Sequence, residues 1–390
     1  MEREGDQGRL RVFAAIPRGV WVLGFVSLLM DVSSEMIHGL LPVFMVSTLG
    51  ASALVVGLVE GVAEATALIV KVFSGTLSDY IGRRKELVVF GYGLGAISKP
   101  FFPMAATIHA VLAARFMDRI GKGMRGAPRD ALIADLTPEP IRGAAYGLRQ
   151  SLDTVGAFLG PLLAMALMFL WDGDVRKVFW VAVIPAALAV ALLIVGVREP
   201  EASRAPGQAK APIHWRMLKE LGGPYWSVVT IGVVFTLARF SEAFLILRAR
   251  QSGLPDILTP AVLVLMNVVY AASAYPAGHL ADRLDRRRLL ACGLLLLLIS
   301  DLMLARSGGL IFVSAGVALW GLHMGLTQGL LATMVAAAAP ANMRGTAFGF
   351  FNLACGVAML AASGLAGLLW DKFGASATFY AGAVFSAAAL

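Results

Sequence analysis

Residues 75–85 read Gly75-Thr76-Leu77-Ser78-Asp79-Tyr80-Ile81-Gly82-Arg83-Arg84-Lys85, a basic turn between two long apolar runs. It returns 203 residues later as Gly278-His279-Leu280-Ala281-Asp282-Arg283-Leu284-Asp285-Arg286-Arg287-Arg288, with Gly, Leu, Asp and the basic run in register. Working outward, two further pairs keep nearly that offset. Arg142-Gly143-Ala144-Ala145-Tyr146-Gly147 matches Arg344-Gly345-Thr346-Ala347-Phe348-Gly349, and Ser34-Glu35 matches Ser241-Glu242. Three matches at nearly one offset define two repeated halves, a pattern typical of secondary transporters.

Composition says what kind of halves these are. The chain has 390 residues, 58% hydrophobic and only 15% charged, against about 25% charged in soluble domains. A bilayer-spanning helix needs roughly 20 apolar residues. The apolar runs predict spans at 19–46, 53–77, 87–106, 109–133, 143–169, 177–196, 224–247, 259–281, 289–305, 309–333, 345–369 and 375–390. The last is about 24 Å long as a helix, short for a bilayer. The expected organisation is a tail at 1–18, a six-helix bundle at 19–197, a charged Pro- and Gly-rich linker at 198–223, and a second bundle at 224–390. The fold class is all-α, polytopic and membrane-embedded.

The net charge of +8 follows topology rather than nucleic acid. Arg18, Arg83-Arg84-Lys85, Arg142, the linker cations, Arg286-Arg287-Arg288 and Arg344 fall on one side of the twelve spans, and Arg176, Lys177, Arg248, Arg250, Arg306 and Lys372 on the other. By the positive-inside rule both termini are cytoplasmic, in the inner (plasma) membrane of a bacterial-type cell. The N-terminus has no apolar core of a cleavable signal. Cys292 and Cys355 each stand alone in an apolar span and read as small buried hydrophobes.

The residues now carry a resemblance. The 75–85 stretch is similar to the G-x-L-x-D-x-x-G-R-R-K loop of the major facilitator superfamily, and twelve spans with a long central loop extend the likeness over the chain. Arg115-Phe116-Met117-Asp118-Arg119-Ile120-Gly121 resembles the family's R-F-x-Q-G stretch, with Asp118 at the Gln position and Arg119 at the Gly position. Gly156 to Ala164 is similar to the G-x-x-x-G-P-x-x-G pattern of its proton antiporters, with Ala164 for the last Gly. The resemblance implies two six-helix bundles that rock about a central cavity lined by spans one, four, seven and ten. It also implies gating at the basic loops. Gly75 and Gly82 permit close helix approach there. Asp79, Arg83, Arg84, Asp282 and Arg286 are the expected latch residues, with Asp79 able to cap a facing helix N-terminus. Plain topology anchoring would also explain the arginines.

Ionisable residues at mid-bilayer cost at least about 2.5–3.5 kcal/mol each and normally face a partner or a wet cavity. Five cations lie mid-span: Lys71, Lys99, Arg115, Arg149 and Arg239. In span one, Asp31, Ser34, Glu35 and His38 share one helical face. In span four, Arg115, Asp118, Arg119, Lys122, Arg125 and Arg129 form one stripe. Arg115, Arg119 and Lys122, with Arg239, Glu242, His323 and Gln328 from spans seven and ten, are the expected substrate contacts. Asp31, Glu35, His38, Glu60, Glu64 and Asp153 are the expected proton carriers. Static ion pairs remain the plainer alternative for any one of them.

These readings lead to a secondary transporter rather than an enzyme. Five histidines form no HExxH, and neither G-x-S-x-G nor a P-loop occurs. The expected cargo is a small organic solute, anionic or zwitterionic, moved by alternating access and driven by protons, with export favoured. A proton-coupled importer of an organic anion is an alternative. So is an exporter of a divalent metal or cationic drug that uses Asp31, Glu35 and His38. Expected partners are the solute, protons and the lipid bilayer, with no nucleic acid, no cofactor, no bound metal and a monomeric chain.

Overall fold

The computed structural model describes residues 15–81, 83–199, 221–281, 285–306, 308–327, 330–340 and 343–390, with backbone alone at a few of these, Asp79 among them. The expectations for Gly82, Asp282, Gln328, the side chain of Asp79 and most of the tail and linker therefore lie outside the described residues.

Apolar runs of bilayer length become helices because only intra-segment hydrogen bonding satisfies the backbone in lipid. In chain order they are α1 (Arg18–Thr48), α2 (Ala53–Ile81), α3 (Arg84–Met104), α4 (Ile108–Leu136), α5 (Arg142–Leu170), α6 (Val175–Gly196), α7 (Gly223–Gln251), α8 (Ala261–Ala281), α9 (Arg286–Ala305), α10 (Leu310–Thr327 and Leu330–Ala338), α11 (Arg344–Phe373) and α12 (Ala375–Ala389). No strand occurs among the described residues. Ten of these helices are long and apolar enough to cross a membrane. The other two depart for opposite reasons: α4 is loaded with charge, and α12 has 15 residues.

Among the described residues, α1 and α7 are interrupted along their length. α1 passes through Gly39-Leu40 into a π-helical turn at Phe44–Thr48 beside Pro42. α7 stops at Ala238 and restarts at Ala243, with Arg239 at φ −114°, ψ 81°. Ser363 Oγ on α11 takes the freed Ser241 N–H at 3.2 Å, and Ser241 Oγ takes that of Ala243 at 3.2 Å. Outside the bundle, Asp174 caps α6 by accepting from the N–H groups of Arg176 (3.1 Å) and Lys177 (3.3 Å). Slight burial alone would push its carboxyl up, but those bonds hold it below the ordinary carboxylate range.

The halves meet along two seams, α2 on α11 and α5 on α8. Glycine sets the first: a Cβ at Gly57 would strike the Ser363 carbonyl, and one at Gly367 would lie 2.5 Å from the Ala53 oxygen. Below, the bundle has a basic end, bearing Arg83-Arg84-Lys85, Arg142 and Arg286, and a far end. Asp371, at the end of α11, accepts from the N–H groups of Ala53 and Leu54 at 3.0 Å each, capping α2 across the seam. Ser47 donates to Asp256 at 3.3 Å beside it. These contacts tie the halves together at the far end. Cys355 is buried as expected, but Cys292 is exposed on the outer face of α9, where a thiol meets lipid at little cost.

An N-terminal cap is worth about 0.5–2 kcal/mol. Asp371→Ala should therefore shift the population with an open far end upward, roughly two- to thirtyfold. Spin labels at Ser52 and Gln251 read this directly, and an unchanged distance distribution would remove the latch role.

Candidate functional site

The site grows from the stripe on α4. Helical spacing aligns Arg115, Asp118, Arg119, Lys122, Arg125 and Arg129, and packing by α1, α2 and α3 buries most of them. Deepest lies Arg115, 1% exposed, whose Nε and Nη2 donate to the two oxygens of Glu60 at 3.1 and 2.6 Å. His38 stands between two acids, 3.5 Å from Glu35 and 3.9 Å from Glu60. One turn nearer the basic end, Lys99 Nζ donates to Asp118 (2.8 Å) and Ser34 (2.9 Å). Arg119 reaches Glu64 at 3.0 Å and Asp118 at 3.5 Å. Still nearer, Arg129 donates to Ser27 (2.9 Å) and Tyr92 (3.3 Å), and Arg125 lies over the Tyr92 ring at 4.6 Å.

Beside this ladder is a cavity of about 440 Å³ on the basic-end side. Its charged wall comes wholly from the first half: Asp31, Glu35, Glu64, Asp130 and Asp153 face Lys71, Lys122, Arg125, Arg129 and Arg149. The second half contributes Asn267, Tyr270 and Met324. Arg149 and Asp153 pair at 2.5 Å. Asp31 and Lys122 make no ion pair among the described residues. Glycine brings the acids to this wall. A Cβ at Gly156 would lie 2.7 Å from the Leu28 oxygen, and one at Gly160 would lie 2.7 Å from Glu35 Cβ, so α5 lies directly on α1. That is the work of the Gly156–Pro161 pattern here.

The expected substrate contacts are thus divided. Lys122 faces the cavity, whereas Arg115 is engaged by buried Glu60, and Arg119 by buried Asp118 and cavity-lining Glu64. Arg239 and Glu242 pair with each other at 3.6 Å and are not among the cavity-lining residues. His323 is fully buried, where its Nδ1–H donates to the Gly293 carbonyl at 2.8 Å and its ring packs on Phe235. Of the expected proton carriers, Asp31, Glu35, Glu64 and Asp153 line the cavity, and Glu60 and His38 lie behind it. At the basic loops, Gly75 lies against Ala127, Arg83 pairs with Glu86 at 2.9 Å, Arg84 pairs with Asp135, and Arg286 is exposed. Sequence reasoning left Lys99 without a partner and did not single out Tyr92, Asn267, Tyr270 or Asp371. Lys99 was visible as a mid-span cation, but the other four are ordinary in sequence.

The family model of the Major Facilitator Superfamily matches residues 23–265 and 245–390. The chain belongs to the major facilitator superfamily. It is 31% identical over 381 residues to an MFS-type transporter of Methanocaldococcus jannaschii, covering 95% of this chain and 92% of that one. It is 25% identical over 218 residues to the quinolone resistance protein NorA of Staphylococcus aureus, covering 56% and 54%. A POT family transporter in complex with 5-aminolevulinic acid shares the fold with a TM-score of 0.80 at 13% identity, over 96% of this chain and 95% of that one. The chain is accordingly a multi-pass membrane transporter of this superfamily.

Removing one partner of a buried pair costs about 3–5 kcal/mol, because it strands the other charge. Arg115→Gln should therefore lower thermal stability sharply, and adding Glu60→Gln should restore most of it. If Arg115→Gln leaves the melting curve in place and only weakens solute binding, Arg115 is a substrate contact instead.

Proposed function

We propose that this chain exports a small zwitterionic organic solute across the cytoplasmic membrane in exchange for protons, by alternating access. The observation that carries the reading is the cavity wall on which Lys122 and Asp31, opposite in charge, both lack an ion-pair partner among the described residues. An anionic group on the solute takes Lys122, and a cationic group takes the Asp31 carboxylate. Coulomb attraction favours both in a site partly shielded from water.

Exchange needs one group that holds either solute or proton. Asp31 and Glu35 have that position, since protonation cancels their attraction for the cationic end and releases it. His38 holds Glu35 from behind and passes charge toward Glu60. Export is favoured by the Gly156–Pro161 pattern and by likeness to a protein named for quinolone resistance. Contacts tying the halves at the far end, with the cavity on the basic side, suit a state that loads solute from inside. The neutral wall of Asn267 and Tyr270 supplies hydrogen bonds that can slide as the second half rocks. A divalent metal is a poorer fit, since no group of three metal-ligating side chains forms among the described residues.

A charge-assisted hydrogen bond contributes about 1.5–3 kcal/mol net, so Lys122→Gln should raise KM roughly ten- to hundredfold for a zwitterion and for its deaminated acid, but not for its decarboxylated amine. Proteoliposomes loaded with these three probes provide the measurement. Asp31→Asn should weaken the zwitterion and its decarboxylated amine but not the deaminated acid, and should no longer accumulate solute against a pH gradient. Transport of the amine alone, unchanged by Lys122→Gln, would replace this reading with a cationic-drug exporter.

A further inference from the structure

Asp301 on α9 is 0% exposed, and neither of its carboxylate oxygens has a hydrogen-bond partner among the described residues. It faces α12, where a Cβ at Gly382 would lie 2.7 Å from Oδ2. The same point is 3.1 Å from the ring of Phe240, in the α7 break. Phe240 is itself packed by Trp320 of α10 and Phe379 of α12, with ring centroids 5.6 and 5.5 Å away. The carboxyl is therefore fully buried against α12, beside the aromatic cluster around Phe240.

The repeat sharpens this. The offset that sets Arg83-Arg84-Lys85 on Arg286-Arg287-Arg288 also sets Ser98 on Asp301 and Asp118 on Gly321. In the first half, Lys99 and Ser98 meet Asp118 at 2.8 and 3.5 Å, a buried charge answered in place. In the second half α10 answers with Gly321, and Asp301 has no counter-charge among the described residues. The other charged groups facing this region are engaged elsewhere. On α7, Arg239 pairs with Glu242, while Arg248 donates to the carbonyls of Leu304 and Arg306 at 2.8 Å each. On α10, His323 is bonded to Gly293, and α12 has only Tyr380, which is exposed. On α9 itself, Arg286 to Arg288 lie at the basic end.

We propose that Asp301 is a proton-binding site of the second half, separate from the acids of the cavity. An ionised carboxylate without a cation or donor is not sustained in so buried a site, whereas the neutral acid is. A proton needs no further ligands, unlike a metal ion. Access comes through the α7 break, because irregular backbone in a spanning helix belongs where the helix bends or handles ions. The distal piece of α7 carries Leu247 and Arg250 at the far end, and the break ties it to Phe240 over Asp301. Opening the far end thus uncovers the carboxyl and lets its proton exchange.

The test is infrared difference spectroscopy on the full chain in lipid, with pH titration of the wild type. A protonated-carboxyl band at neutral pH, absent in Asp301→Asn and titrating at lower pH once Asp371→Ala opens the far end, is the expected result. Asn copies the shape of the neutral acid, and the wild-type titration does not depend on how the variant folds. Asp301→Asn should also lower the proton-to-solute ratio by one while solute binding is kept. No such band, a band insensitive to pH in both states, or sodium-dependent changes at the same group would overturn the proposal. If Asp301→Asn behaves as wild type while Asp31→Asn loses coupling, this inference fails alone. If Asp31→Asn is silent, the earlier reading fails alone.

Discussion

A charge placed in hydrocarbon must be answered by another charge within the same fold, since water is not there to answer it. That constraint organises the first half of this transporter. The α4 stripe cannot face lipid, so α1, α2 and α3 close over it with Ser34, Glu60, Glu64 and Lys99 in matching register. Such pairs gain little stability over apolar packing, because desolvation offsets the attraction. What they give is position: the bidentate Arg115–Glu60 pair permits one rotation of α2 against α4 and penalises the others.

From that register the cavity follows. With Arg115 and Arg119 answered, the cavity-lining charges without an ion pair among the described residues are Asp31, Lys71, Lys122 and Arg125, beside the paired Arg149 and Asp153. Close contact of α5 with α1 through Gly156 and Gly160 puts acids and bases on one wall. The opposite wall is neutral, so the halves can part without separating an ion pair across the cavity. At the far end the halves are instead held by Asp371 on free N–H groups of α2, contacts that re-solvate readily when broken.

Much of the fold was legible in the chain because hydrocarbon imposes its length on every spanning segment and because the 203-residue repeat reports the two halves. The helices form where the apolar runs predict, including the short α12. The polar faces of α1 and α4 were equally plain, since helical periodicity depends on local spacing alone. The sequence by itself therefore determined the membrane class, the helix count, the family and which faces carry charge. It did not determine which charges are answered. Whether Arg115 meets a solute or Glu60, whether Lys99 finds Asp118, and whether Asp301 finds nothing depend on how helices distant in sequence rotate against one another. Only the tertiary structure decided that, because an ion pair is set by distances of about 3–4 Å across helix contacts and a local pattern carries no measure of them.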